Sequence, residues 1–438
     1  MNAKTKKAVT GWGFAVAYAG FAAVCYRLYL RQAIHYPGKL GVYDSDLPAH
    51  IHEGRAGTGY SFMEKSFGFL MDTLGCNEKA VALWLAFLTI ATVWVTFQVM
   101  KRLFPQGNPV ALHLLAFVAM FWMPVYLPQL NPYRYLGLQS GSVWHNSTYL
   151  GMRLAAMCLL LFYFRYQETY RKKFTAGQFV WFTVLLIFVN LMKPNFILCF
   201  APAMAVMLLT DCIAERGKNL KQQILFGIPV LISLAVVAYE TLVLFSGDRD
   251  GSSIVIDFAF SLKMRTEHPV IALLQSGAFP LAVLLGNWKD LKEDRRFRVS
   301  WLTWLAALLE YLFLCEDGPR KTHGNFSWGY CFALFLVFLI SMIWLYRNLK
   351  EFYEEYRASC EGHPGAENGA AVKRFAAYIK SGDKKIKMQT VYLYVHCVCL
   401  SCICILELSL PGSYLTAVLM PDDDSRIGNR WQANKYIW

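Results

Sequence analysis

The chain reads as an all-α polytopic membrane protein, and three observations carry that reading. Of 438 residues, 56% are hydrophobic and 17% charged, with a mean hydropathy of +0.33; a soluble domain usually carries about a quarter charged residues. Apolar runs of about 20 residues recur from one end to the other, each long enough to cross a hydrocarbon core of roughly 30 Å. Trp, Tyr, Lys and Arg gather at the ends of these runs, as they do at membrane interfaces.

Spans are expected near 8–30, 79–100, 109–128, 147–165, 177–192, 195–213, 223–245, 269–287, 299–315, 328–347 and 390–411. That is about 11 transmembrane helices, within a range of 10–13, forming one integral-membrane domain over 1–438. The first needs separate justification, because Lys4, Lys6 and Lys7 before an apolar run also describe a signal peptide. Ala8 to Leu30 is longer than a signal's apolar core and ends in Tyr26-Arg27-Leu28-Tyr29-Leu30-Arg31, with no small-residue cleavage site. It is read as a retained span.

The loop 31–78 that follows is too polar to enter lipid. It carries Asp44 and Asp46, then Leu47-Pro48, a pair expected to end local regularity, then His50, His52, Glu53 and Arg55. Tyr60 to Leu74 has apolar residues at Phe62, Phe67, Leu70, Met71 and Leu74, the pattern of a short juxtamembrane helix lying on the membrane surface. The loop 348–388 reads as a short juxtamembrane helix, a Gly-Pro turn and a basic helix on the opposite surface.

With the N-terminus assigned to the cytoplasm, alternate loops on that side hold 26 of the 43 Lys and Arg residues, as the positive-inside rule requires. The net charge of +13 follows from this bias and from contact with anionic lipid, and does not point to nucleic acid. The twelve cysteines imply neither a metal site nor a disulfide framework, since most lie within or near spans as small packing residues. Asn146-Ser-Thr and Asn325-Phe-Ser match the glycosylation sequon by chance.

This assignment places every mixture of acids, histidines and asparagines outside. The external loops hold Asp44, Asp46 and His50; Arg134 and His145; the turn Met192-Lys193-Pro194; and the run Arg320-Lys321-Thr322-His323-Gly324-Asn325. An unpaired ammonium at the membrane edge is expensive, so Lys193 either snorkels or meets an anion. Arg320, Lys321 and His323 beside Phe326, Trp328 and Tyr330 could clamp a phosphate, with Arg134 and Arg153 as further candidates. Glu240 and Glu310 fall inside apolar runs, either as functional carboxyls or as helix-to-helix hydrogen-bonding groups.

A retained first span, an external first loop with Asp44 and Asp46, and later external loops rich in Arg, Lys, His and aromatics resemble the GT-C glycosyltransferases. The runs Tyr43-Asp-Ser-Asp-Leu-Pro-Ala-His50, Lys193-Pro194 and His323-Gly-Asn-Phe-Ser-Trp-Gly-Tyr330 are similar to those of bacterial members. The resemblance implies a plasma-membrane enzyme whose external site moves a sugar from a polyprenyl-phosphate donor to a hydroxyl of a glycan, lipid or protein acceptor, with inversion. A first-loop Asp, Asp44 or Asp46, would be the general base. Donor binding would fall to His50, Lys193, Arg320, Lys321, His323 and Asn325, with Arg134, His145 and Arg153. Some such enzymes use a divalent cation, and no organic cofactor is expected. Two other readings stand beside this one: a transporter or flippase of a lipid-linked saccharide, for which Glu240 and Glu310 would matter most, and a glycan polymerase or ligase.

Overall fold

The computed structural model describes residues 3–34, 45–75, 78–121, 124, 130, 144–244 and 253–361. Asp44, Arg134 and the expected span at 390–411 lie outside them. In chain order the elements are α1 (Ala3–Ile34), α2 (Leu47–Ala56), α3 (Phe62–Leu74), α4 (Glu78–Leu103), α5 (Pro109–Val118), α6 (Ser147–Thr169), α7 (Ala176–Met192), α8 (Asn195–Ala214) and α9 (Leu220–Tyr239), which a π-helical turn (Glu240–Leu244) extends. There follow β1 (Ile254–Ile256), α10 (Phe260–Lys263), α11 (Pro269–Gly286), α12 (Asp290–Glu293), α13 (Arg295–Phe313), β2 (Leu314–Glu316), a 3-10 turn (Gly318–Arg320) and α14 (Ser327–Glu361).

Every span expected within the described residues falls on one of these helices. Seven helical stretches are long and apolar enough to cross a membrane, in α1, α4, α6, α8, α9 with its extension, α11 and α14. Helices α5 and α7 are apolar but shorter, at 10 and 17 residues. Helix α13 has 19 residues but opens on Arg295, Arg296 and Arg298. The chain is thus a helical integral-membrane protein, apart from one antiparallel pair that sets Ile254 opposite Glu316 and Ile256 opposite Leu314.

Two local expectations change. Leu47-Pro48 opens α2 and does not end regularity, because a proline in the first turn gives up an N–H that has no helical partner there and its fixed φ suits the helix. Helix α14 continues without a break to Glu361, so the juxtamembrane helix expected after 348 is the end of the span itself.

Helix α14 is the core. From Phe326 to Trp344 every residue is buried, the outcome for a helix that is apolar around its whole circumference. Helices α4, α8, α11 and α13 pack against it, and α1, α6, α7 and α9 continue the bundle outward. Helices α2 and α3 cross with almost nothing between their backbones. A Cβ on Gly54 would stand 2.5 Å from the Glu64 carbonyl oxygen, and one on Gly68 would stand 2.5 Å from that of Gly54. Gly151 lets Met63 of α3 and Met192 of α7 close on α6 in the same way.

The two ends of the bundle differ in chemistry. At one end Asp211 receives hydrogen bonds from Tyr170, Arg171 and Arg295. Asp290 receives them from Trp344 and Arg347, and Arg102 pairs with Glu168. These contacts lock α4, α6, α8, α13 and α14 together. The other end, where α1, α7 and α13 finish and α4, α6, α8 and α14 begin, carries α2, α3, the strand pair and nearly all the residues singled out above.

Candidate active site at one end of the bundle

The site is built on three helix termini. Asp46 precedes α2 yet does not cap it; Ser45 accepts the Leu47 N–H instead, at 3.3 Å. The Asp46 carboxylate is therefore free to face α6. Asn146 is the N-cap of α6, its Oδ1 accepting from Tyr149 N at 2.8 Å and from the Thr148 hydroxyl at 2.7 Å. With that oxygen committed, the amide nitrogen points outward and donates to Asp46 Oδ2 at 2.6 Å. His145 Nε2 lies 3.4 Å from the other carboxylate oxygen, and the Asp46 N–H donates to the His145 carbonyl at 2.9 Å.

Lys193 enters through the same cap. It terminates α7 in extended conformation, is only 8% exposed, donates to Thr148 Oγ1 at 3.1 Å and lies 5.0 Å from the centre of the Trp328 ring. The His145 ring stacks on Trp328 as well, at 6.2 Å. One chain of hydrogen bonds, Asp46–Asn146–Thr148–Lys193, thus joins a carboxylate 147 positions away to an ammonium, with the first turn of α14 as its floor.

A second branch leaves through His50, one turn into α2. Its Nδ1 is 2.7 Å from Glu64 Oε1 and 3.6 Å from Glu53. Glu64 is fully buried, since it also closes a capping box at the start of α3 by accepting the Ser61 N–H at 2.9 Å. His50, Glu53 and Glu64 present ligand atoms within 4.8 Å of one another, a set able to hold a metal ion. The hydrogen-bond directions favour a proton there. Asn146 turns its amide nitrogen toward His50 Nε2, at 3.4 Å, which leaves Nε2 as the acceptor and the proton on Nδ1, aimed at Glu64. In that tautomer Nδ1 has no lone pair for a metal.

Electrostatics follow from this wiring. Burial pushes the Asp46 carboxyl up, but His145 and Asn146, with His50 beyond them, outweigh it and hold the group well below the usual carboxylate range. Asp46 keeps 41% of its side chain exposed, so one face of the carboxylate remains open while the other is held by Asn146 and His145. His50 is pulled down by burial and raised more by Glu53 and Glu64, for a net upward shift. Glu64 moves the other way, its burial overcome by His50. Burial brings Lys193 down to about 8, against the pull of Asp46 and Glu64.

The remaining candidates divide. The Arg320 side chain makes no hydrogen bond or ion pair among the described residues, while its carbonyl accepts the His323 N–H at 3.0 Å. Its charge reaches the Tyr60 hydroxyl, which burial raises first and Glu64, Glu53 and Glu240 raise further, so Arg320 faces the same surroundings as the His50 branch. The His323 side chain is likewise uncommitted. Lys321 pairs with Asp257 at 3.4 Å and lies over Phe260. Asn325 donates to Glu316 and takes the Asn195 amide on its carbonyl. Arg153 is buried within α6, where it donates to the Ala119 carbonyl at 2.8 Å and packs on the Phe335 ring, so it stands inside the bundle and not on the external loops with the other candidates. Asn146 is buried as the α6 cap, which makes its sequon a structural feature.

Sequence reasoning gave no site role to Thr148 or Glu64, read Asn146 only as a sequon, and left Glu53 without a role of its own in the titratable cluster after Pro48. Only Ser61-x-x-Glu64 left a signal, and a capping box announces a helix start, not a site. The six described cysteines are free.

No family model, curated protein or solved structure matches the chain. The chemistry of this end therefore carries the functional argument.

Proposed function

We propose that the protein is a membrane glycosyltransferase of the GT-C kind, moving a sugar from a polyprenyl-phosphate donor to an acceptor hydroxyl with inversion. The observation that supports it best is Asp46: a part-exposed carboxylate oriented by Asn146 and His145, on the same end as the buried Lys193 ammonium and an Arg320 guanidinium that no described residue engages. In this reading the N-terminus is cytoplasmic and the site external, with Asp44 beside Asp46 as the second acid of the loop.

Asp46 accepts the acceptor's hydroxyl proton as the oxygen attacks the anomeric carbon. Its depressed proton affinity makes it a weak base, so transfer comes late, once bond formation has acidified the hydroxyl. Asn146 and His145 fix which oxygen faces the acceptor. The leaving phosphate takes up charge beside Lys193 and Arg320, donors in a poorly hydrated edge where their effect is large. The donor's phosphate is anionic before reaction as well, so these cations serve affinity and turnover together.

The transporter or flippase reading draws on Glu310, whose two carboxylate oxygens are buried without a hydrogen-bond partner among the described residues. The deciding experiment is glycosyl transfer by the protein in vesicles containing a polyprenyl-phosphate hexose and a soluble acceptor. Asp46→Asn keeps the shape and removes the proton-accepting charge, so turnover should fall by about 10² to 10⁴ with donor affinity retained. Full activity in the double variant Asp44→Asn/Asp46→Asn would refute the mechanism, and absent product with intact lipid-saccharide movement would favour the transporter.

A further inference from the structure

Away from the cleft, one titratable group has no explanation within the bundle. Glu310, in the last turn of α13, is 8% exposed, and neither of its oxygens meets a hydrogen-bond partner among the described residues. Buried carboxyls are otherwise hydrogen-bonded or paired, because desolvation without compensation is expensive. Glu310 lines the polar end of a groove of about 420 Å³ between α8 and α13, whose walls include Leu198, Pro202, Val206, Leu302 and Leu309. The outer rim, with Leu305 and Leu309 about half exposed, faces where lipid must lie.

Three features narrow the occupant. The groove runs along α13 from Leu302 to Glu310 and on to Leu314 just past its end, about 18 Å at 1.5 Å per residue, so it covers about one leaflet of a hydrocarbon core roughly 30 Å thick. It lies between only two helices, which suits one chain. Its polar end belongs to the end of the bundle that carries the cleft: a Cβ on Gly329 would stand 3.1 Å from the Asn195 carbonyl and 3.3 Å from Glu310 Oε2, and the preceding residue is Trp328, the floor beneath Lys193. A larger groove of about 590 Å³ between α8 and α9 shares Leu198 and Pro202, but its polar residue, Gln223, lies at the opposite end of the bundle.

We infer that the α8–α13 groove is a lipid-binding site for a single linear isoprenoid chain, with Glu310 hydrogen-bonding the head group. The inference rests on the glycosyltransferase reading for the identity of that lipid as the donor. Its chain would descend along Leu309, Leu305 and Leu302, and its phosphate would turn around Gly329 toward Lys193. An unpartnered carboxyl is then the anchor of a lipid, and its isolation in the protein alone is what such a role requires.

The test uses the full chain in phosphatidylethanolamine–phosphatidylglycerol vesicles with a diazirine-bearing isoprenyl phosphate. A diacyl phospholipid carrying the same diazirine on one chain runs in parallel. Irradiation followed by peptide mapping should place the isoprenyl adducts on α13 between Leu302 and Leu309 and on α8 near Val206. Ala306→Trp, which fills the groove from its lipid side, should abolish them. Glu310→Leu should lower them by about tenfold, the upper range for one hydrogen bond, while leaving the melting temperature unchanged or higher, since it removes an unpartnered buried carboxyl.

Unchanged labelling in Glu310→Leu and Ala306→Trp would overturn the proposal, as would equal labelling by the diacyl probe or adducts confined to the α8–α9 groove. Asp46→Asn should label like the unmodified protein, which separates the two readings. Glycosyl product without groove adducts sinks the lipid site alone; groove adducts without glycosyl product leave the site standing and sink the enzyme.

Discussion

Asn146 is the residue whose replacement tests the site's wiring most directly. In Asn146→Ala the α6 cap is lost, at about 1 kcal/mol. The buried Thr148 hydroxyl loses its acceptor, at about 1 kcal/mol. The bond to Asp46 is charge-assisted, but Asp46 is 41% exposed and water can replace the amide, so about 1 kcal/mol is the appropriate share of the usual ~1.5–3. The sum is about 3 kcal/mol, and it should be nearly constant above pH ~5.

Asn146→Asp behaves differently because it keeps the cap and the Thr148 acceptor and reverses one contact only. Two carboxylate oxygens then face each other where the amide stood 2.6 Å from Asp46. Like charges at that separation cannot both be ionised, so one acid of the pair holds its proton to a raised pKa in the folded state. The unfolded pair ionises near pH ~4. The folded variant binds more protons than the unfolded chain above that point, so its stability falls as pH rises from ~4 and levels off above the raised value. Thermal unfolding in detergent, followed by tryptophan fluorescence from pH 4.5 to 8, should show Asn146→Asp close to the unmodified protein at the acid end and well below it at pH 8. Equal stability at pH 8, or parallel deficits for Ala and Asp at every pH, would refute the Asp46–Asn146 geometry.

Three further outcomes are expected. The His50–Glu64 pair should make a pH-dependent contribution to stability: the His50 part is complete below pH ~6.5 and is lost as pH rises through its raised value, while the Glu64 part is present above pH ~4.3 and is lost as pH falls. Glu64→Gln should therefore flatten the stability profile above pH ~6.5, and an unchanged profile there would contradict the pairing. Asp211→Asn should destabilise by about 3 kcal/mol, because it leaves Arg295 partly buried without its anion while Arg171 keeps only Glu215, yet turnover per folded molecule should not change; loss of activity at full folding would mean that the opposite end takes part in the chemistry. Finally, a cysteine placed at Ser45, with native thiols removed, should react with a membrane-impermeant maleimide in intact cells, and labelling only after permeabilisation would invert the orientation.

What was legible beforehand follows from the range of the forces involved. Helix positions were readable because a run of apolar residues is a local fact that lipid enforces, and seven of the expected spans became helices long and apolar enough to cross, whereas the one expected at 109–128 is helical only over Pro109–Val118 among the described residues. The gathering of Asp46, His50, His145 and Lys193 was anticipated only as a shared side of the membrane, which loop charge decides. Their actual wiring was not readable. Asn146 looks like a sequon and Glu64 like a capping residue, and each gains a second role only once α2, α3 and α6 are packed. The approach of α2 to α3 depends on Gly54 and Gly68, two glycines that no periodicity separates from ordinary loop or helix glycines. Arg153 was not legible for the complementary reason: a cation six residues into a span was offered to an anion, yet it stands inside the bundle on a backbone carbonyl and an aromatic face.

The contrast between the two ends bears on which of them does chemistry. At the end built on Asp211 and Asp290, each acid meets a guanidinium across helices, Asp211 with Arg171 and Arg295 and Asp290 with Arg347, so the carboxylate charges are matched within the chain. At the other end the groups are linked but not complete. Asp46 keeps an exposed face, Arg320 and His323 have no partner among the described side chains, Lys193 is buried against one hydroxyl and the Trp328 ring with no carboxylate in contact, and the Glu310 oxygens have no hydrogen-bond partner among the described residues. Of these, the buried Lys193 and Glu310 raise the free energy of the folded chain, and a bundle selected for stability alone would replace them with apolar residues at a gain. Groups of opposite charge left short of partners around one cleft are what a charged, lipid-borne substrate would complete, with its hydroxyl-bearing acceptor at Asp46 and its phosphate among the cations. By that reasoning the end carrying α2 and α3 is the working end, and ligand should stabilise it: a polyprenyl-phosphate sugar should raise the melting temperature of the unmodified protein and leave Lys193→Ala and Arg320→Ala nearly where they were.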